Sequence, residues 1–197
     1  GQGVILGNAE EEFKNFVEKS GVPAAWTILG LSALPTSHEL NVGMVGMHGN
    51  YGPNILTNKC DLLIAVGMRF DDRVTGDPST YASQAKVIHL EIDPAEVDKN
   101  IKVDVPVIGN CKESLKMITN KIDKRSHKKW ISKFDDLMKI EFDKVIKSDL
   151  STNKKGLTMG ESIIAINEFT NGDAIIVTDV GQHQMVACRY ANFIKSK

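Results

Sequence analysis

The chain has 197 residues and a formal net charge of −1, with 42% hydrophobic and 25% charged residues, enough for one full domain and part of a second. A near-neutral chain without a basic face is a poor nucleic-acid binder, because that affinity rests on neutralising phosphates. Cys60, Cys111 and Cys188 are odd in number and far apart, so they form neither a CxxC metal pattern nor a disulfide framework, and a reducing cytoplasm is the expected location. No apolar run has the length of a membrane span, and no secretory leader is legible. Both ends, Gly1-Gln2-Gly3 and Lys195-Ser196-Lys197, read as positions inside a larger protein.

In chain order, Gly1-Gln2-Gly3 reads as a turn whose preceding strand lies outside the sequence. Asn8 followed by Glu11 is a variant capping box, so a helix is expected to Ser20 with Gly21 ending it. Residues 22–27 read as a strand weakened by Pro23, and 29–49 as loop. A helix over 53–59 leads into an apolar strand over 62–66. Further strands are expected over 86–92 and 103–108, then a helix over 113–122. This alternation predicts an α/β fold, a Rossmann-like parallel sheet flanked by helices, with strands 62–66 and 86–92 central because both are apolar on each face.

Residues 121–153 change character. Trp130, Phe134, Leu137, Ile140, Phe142 and Val145 recur at helical spacing, which suits either a connector packed on a neighbouring domain or an amphipathic surface helix. From about Gly156 a second α/β unit is expected to begin, with a helix over 158–169, a strand over 174–178 and a helix to Tyr190. The domain reading is 1–122, a helical linker over 123–155, and 156–197 as the truncated start of the second domain.

The densest chemistry follows strand 62–66: Gly67-Met68-Arg69-Phe70-Asp71-Asp72-Arg73-Val74-Thr75-Gly76. Ligands of open α/β sheets sit beyond the carboxyl ends of the strands, and a charged, glycine-opened loop there is placed to hold a polar group. Gly1-x-Gly3 ahead of a helix lets backbone approach a phosphate. Glu91 and Asp93 close strand 86–92, where an acid commonly accepts from a ribose hydroxyl; they serve equally as caps for Pro94-Ala95-Glu96. Asn110 ends the next strand beside the same crevice. His48, between Met47 and Gly49, suits contact with a flat ring and equally a packed loop position. Gln182-His183-Gln184 reads equally as a diphosphate site and as a polar helix start.

The motifs Gly46-Met47-His48-Gly49, Arg69-Phe70-Asp71-Asp72-Arg73-Val74-Thr75-Gly76, Ile92-Asp93-Pro94-Ala95-Glu96 and Asp179-Val180-Gly181-Gln182-His183-Gln184-Met185 together resemble the large catalytic subunit of the acetolactate synthase family, in that family's order and spacing. Val186 departs from it, standing where an aromatic residue is common. The resemblance implies an FAD-binding middle domain, in which the flavin contacts are Gly1, Gly3, Thr27, Ile28, Leu29, Met47, His48, Gly67, Arg69, Asp72, Arg73, Val74, Glu91, Ile92, Asn110 and Cys111. It implies that Val180, Gly181, Gln182 and His183 begin a thiamine-diphosphate site. The reaction implied is decarboxylation of pyruvate on thiamine diphosphate and condensation with a second pyruvate or with 2-ketobutyrate, in branched-chain amino-acid biosynthesis. FAD takes no net redox part in it.

The activating glutamate and the Mg²⁺ motif of that family have no counterpart in these residues, so the chain contains no catalytic or metal residue of that set, and alone it is expected to make no acetolactate. A homo-oligomer and a small regulatory subunit are implied partners; nucleic acid and membrane are not. Alternatives are another FAD- or ADP-binding thiamine enzyme, of the glyoxylate carboligase or pyruvate oxidase type, and a non-catalytic nucleotide-binding module.

Overall fold

Helices and strands alternate along the first 121 residues. A computed structural model describes residues 1–151 and 156–196; the end of the expected linker, 152–155, and Lys197 lie outside the described residues. The order is α1 (Gln2–Leu6), α2 (Glu10–Ser20), β1 (Ala24–Trp26), β2 (Asn41–Met44), α3 (Tyr51–Thr57), β3 (Leu62–Val66), α4 (Asp72–Thr75), β4 (Lys86–Glu91), β5 (Val105–Ile108) and α5 (Cys111–Lys121). All pairings are parallel. β1 pairs with β2, and β3-β4-β5 form a second sheet, with Leu62 opposite Lys86 and Glu91 opposite Ile108. The α/β class with parallel strands flanked by helices is the one the alternation predicts.

One buried cluster joins both sheets to one helical layer. Val4, Phe16, Val17, Trp26, Leu34, Val66, Leu90 and Leu115 meet in it, and α2 packs along α5. A second cluster, Phe70, Tyr81, Val87, Ile101 and Val103, fills the space under the loop after β3. A third, Val42, Leu56 and Phe134, seats α6 (Lys128–Glu141) on α3. One face of α6 is therefore packed on α3, with Trp130 and Phe134 edge-to-face at 5.9 Å. From α6 the helix runs through a π turn, Phe142–Ile146, into α7 (Lys147–Asp149).

Several local expectations are corrected. Gly1-Gln2-Gly3 opens helix α1 rather than forming a free turn. Asn8 has φ 47° and precedes Ala9, which is the N-cap of α2 without a side-chain bond; the acidic first turn Glu10-Glu11-Glu12 suits the helix dipole instead. Residues 41–44 form β2, in a stretch whose glycines read as loop; Gly43 sits at φ 100° inside the strand. β4 is central, but β3 has a strand partner on one side only and stands at the edge of its sheet among the described residues.

The chain after Gly156 contributes α8 (Met159–Thr170) and α9 (Gln182–Tyr190). Thr158 and Glu161 form a full capping box at the start of α8. Residues 174–178 form no strand: Ile175 and Val177 are 76% and 89% exposed and have no sheet to join among the described residues.

Candidate functional site

The carboxyl ends of β1, β3, β4 and β5 open on one crevice of about 410 Å³. Its floor is backbone against backbone. A Cβ on Gly3 would lie 2.7 Å from the Gly67 Cα, and one on Gly67, at φ 56°, would lie 2.6 Å from the Gly3 Cα. The Gly3 N–H donates to the Gly67 carbonyl at 2.9 Å. The glycines thus permit a close approach between the start of α1 and the end of β3, whatever ligand lies above them.

The loop after β3 is anchored by its one aromatic residue. Phe70 is buried at 1% exposure and stands in the left-handed region at φ 52°, a conformation an aromatic side chain adopts only under constraint. Its ring packs against His89 at 4.9 Å and Tyr81 at 6.3 Å. His89, fully buried on β4, is 2.7 Å from the Met68 carbonyl through Nε2. Asn100 donates to the Phe70 carbonyl at 3.1 Å. With Phe70 held inward, Arg69 and Arg73 turn outward, their side chains 67% and 72% exposed. Arg69 is tied to Asp71 at 2.5 Å, while Arg73 is 3.7 Å from Asp72. Asp71 also accepts from the Arg73 N–H and caps α4; that backbone bond, with Arg69 beside it, holds its carboxyl below the usual range.

Glu91 ends β4 at 9% exposure. Its Oε1 accepts from the Ile92 N–H at 2.9 Å, and its Oε2 lies 3.7 Å from His89 Nε2. Asp93 caps the 3₁₀ turn Pro94–Glu96 through the Ala95 N–H, so the acids divide the two readings given to them: Asp93 is a cap, and Glu91 lines the crevice. Asn110 caps α5 through the Lys112 N–H at 2.8 Å and also lines the crevice. Cys111 is buried beside it, and burial pushes its thiol upward.

Of the residues singled out, Gly3, Thr27, Ile28, Leu29, Gly67, Arg69, Arg73, Val74, Glu91, Ile92, Asn110 and Cys111 line this cavity. Gly1 faces a different cavity, between the sheets. Asp72 lines a separate groove with Lys99 and Asn100. Met47 and His48 lie outside the crevice wall, although the Met47 N–H donates to the Arg73 carbonyl at 2.8 Å. Val180, Gly181, Gln182 and His183 do not line the crevice; they lie at the start of α9, with Val180 85% exposed. Sequence reasoning missed Gln2, Leu6, Gly7, Met68, Phe70, Asp71 and Glu96 in the wall. An apolar residue inside a charged loop was the available signal for Phe70.

Residues 1–118 match the thiamine pyrophosphate enzyme central domain. The chain belongs to this family. It is similar to the acetolactate synthase large subunit of Lactococcus lactis, 39% identical over 192 residues, which is 96% of this chain and 32% of that protein. The large subunit of Corynebacterium glutamicum is 37% identical over all of this chain and 32% of its own length. Acetolactate synthase 3, chloroplastic, of Brassica napus is 38% identical over 96% of this chain and 29% of its own. The chain thus spans about a third of the length of these relatives. No helix among the described residues is long and apolar enough to cross a membrane, and no cluster of metal-ligating side chains occurs among them.

Proposed function

We propose that this central domain is the FAD-binding middle part of an acetolactate synthase large subunit. The observation that carries the reading is the convergence of Arg69, Arg73, Glu91, Asn110 and the Gly3–Gly67 contact on one crevice at the carboxyl ends of four parallel strands. Two exposed guanidinium groups at its mouth, Arg69 tied to Asp71 and Arg73 only loosely paired with Asp72, suit a diphosphate. Glu91, half of whose carboxylate is free of backbone bonds, suits a ribose hydroxyl. The apolar wall of Ile28, Leu29, Val74 and Ile92 suits a flat ring. This donor set fits a flavin dinucleotide, and in this reading FAD supplies structure rather than net electron transfer.

The rest of the proposal follows the same family. Residues 1–122 form the middle domain, 123–155 the linker and 156–197 the start of the thiamine-diphosphate domain, where Val180 to His183 meet that cofactor. The whole protein decarboxylates pyruvate on thiamine diphosphate with Mg²⁺ and joins the product to pyruvate or 2-ketobutyrate. It works in the cytoplasm as a homo-oligomer, with a small regulatory subunit as partner. The isolated chain makes no acetolactate, because the activating acid and the metal ligands come from elsewhere in the protein.

The test is Arg73→Ala in the full-length protein. A charge-assisted phosphate contact is worth about 1.5–3 kcal/mol, so FAD affinity should fall roughly 10- to 100-fold at unchanged thermal stability. Unchanged flavin retention overturns the assignment of this crevice.

A further inference from the structure

The loop after β2 and the last helix of the chain meet at one buried charge pair. Glu141, the last residue of α6, is 4% exposed at its side chain. It accepts from the Tyr51 N–H at 3.0 Å and from the Asn50 amide at 3.3 Å. A carboxylate buried there needs a cation, and α9 supplies it. Arg189 donates to Glu141 through Nη1 at 2.6 Å and to the Gly49 carbonyl through Nη2 at 3.4 Å. Arg189 lies outside every motif that the sequence offered.

The same loop bears on the crevice. The Met47 N–H donates to the Arg73 carbonyl at 2.8 Å, and a Cβ on Gly46 would lie 2.8 Å from that oxygen. Asn54 bonds both the N–H and the carbonyl of Gly46 at 2.9 Å. Asn50 accepts from the Met44 N–H at 2.9 Å and returns its own N–H to the Met44 carbonyl at 2.7 Å. Residues 46–50 are thus a strip tied at both ends, to β2 and to the backbone of a crevice residue. On the far side, the last two residues of α9 carry tertiary hydrogen bonds: Arg189 as above, and Tyr190 to Asp149 through its hydroxyl at 2.6 Å. Gln182 and His183 at its start are exposed. A helix is a rod rising about 1.5 Å per residue, so a pin at Arg189 sets where Gln182 stands, about 10 Å along the axis.

We propose that Arg189 is a positioning residue that keys the start of α9 to the crevice, so that occupancy of the crevice strengthens binding at the Gln182–His183 turn, and the reverse. The inference rests on the reading of these two places as the FAD and thiamine-diphosphate sites. With Arg73 restrained by a bound dinucleotide, the Met47 bond passes the restraint to residues 46–50, and Arg189 passes it to α9. Binding at the helix start then costs less ordering entropy. The effect is reciprocal, because the two binding steps close one thermodynamic cycle.

The experiment uses the full-length protein freed of cofactors. Thiamine diphosphate with Mg²⁺ is titrated by intrinsic fluorescence, with and without saturating FAD. In the unaltered protein FAD should tighten that binding by about fivefold or more. In Arg189→Met the two constants should agree within about twofold, with FAD affinity unchanged. Arg189→Lys keeps a cation beside Glu141 and should retain part of the coupling. The double variant Glu141→Gln/Arg189→Met removes the unpaired buried carboxylate, so it stands in should Arg189→Met fail to fold, and it too should lack coupling. Amide exchange over residues 182–190 is the second readout: FAD alone should slow it in the unaltered protein and in neither Met variant. Equal coupling in the unaltered protein and the Met variants overturns the proposal, and so does its absence from the unaltered protein. Should Arg73→Ala leave FAD affinity unchanged, the crevice reading fails and this inference with it; a normal Arg73 dependence with coupling intact in the Met variants overturns the inference alone.

Discussion

Residues 62–66 and 174–178 are both short apolar runs that lead through a glycine turn towards a helix. The first is strand β3, laid along β4 over five register pairs, with Val66 5% exposed. The second forms no ladder, and its Val177 is 89% exposed. Nothing in local propensity separates the two. What differs is the partner: β4 offers the first run a continuous edge, while the second has no strand partner among the described residues. A strand is a property of a pair, and its stabilisation comes from cross-strand neighbours and burial.

The largest expected effect concerns the bond that ties the second region to the first. Glu141, 4% exposed at its side chain, pairs with Arg189 of α9 at 2.6 Å and accepts from the Tyr51 N–H at 3.0 Å and from Asn50. Glu141→Ala strands a cation and two donors, and should cost about 3 kcal/mol, the low end for a buried pair because Arg189 keeps some contact with water. Urea midpoints check this; no change would show that α9 does not depend on Glu141. A smaller effect belongs to the first region alone. Burial lowers the Gly1 amine from 8.0 to about 5, so the unfolded chain binds the extra proton between those values. Stability should therefore be full above pH 8 and decline as pH falls towards 5. Acetylating the α-amine should flatten the slope in a pH series of thermal melts.

The mildest prediction tests the comparison directly. Val66→Thr buries a hydroxyl and should cost about 1–2 kcal/mol, whereas Val177→Thr should stay within about 0.5 kcal/mol. Equal costs in chemical denaturation would mean that 174–178 is as well packed as β3.

These cases show what was legible in the sequence. Runs with period and length, such as 62–66, 86–91 and the helices around Phe16 and Leu115, announce themselves because their burial pattern is written in residue type. The charged loop was legible as one that opens on a crevice at the strand ends, and Arg69, Arg73 and Glu91 do share one crevice. β2 was hidden because Asn41 and Gly43 serve bends as well as strands, and the Gly43 N–H is held by Asn41 itself. Phe70 was hidden because its role depends on a positive φ and on His89, a contact partner nineteen residues away. Asp72, Met47 and His48 were assigned by motif, and the fold turns them just outside the cavity wall they flank.

The π turn at 142–146 carries one further consequence. A single extra residue in a helical turn shifts the azimuth of everything after it by about 100°. Before it, Trp130, Phe134 and Glu141 address α3 and the loop at Asn50; after it, Asp149 accepts from the Tyr190 hydroxyl at 2.6 Å and from the Thr158 hydroxyl. One rod thus addresses α3 before the turn and the start of α8 after it, with α9 bonded on both sides. Its length in residues, more than its composition, sets the angle between them, so that a one-residue deletion there would act as a rotation.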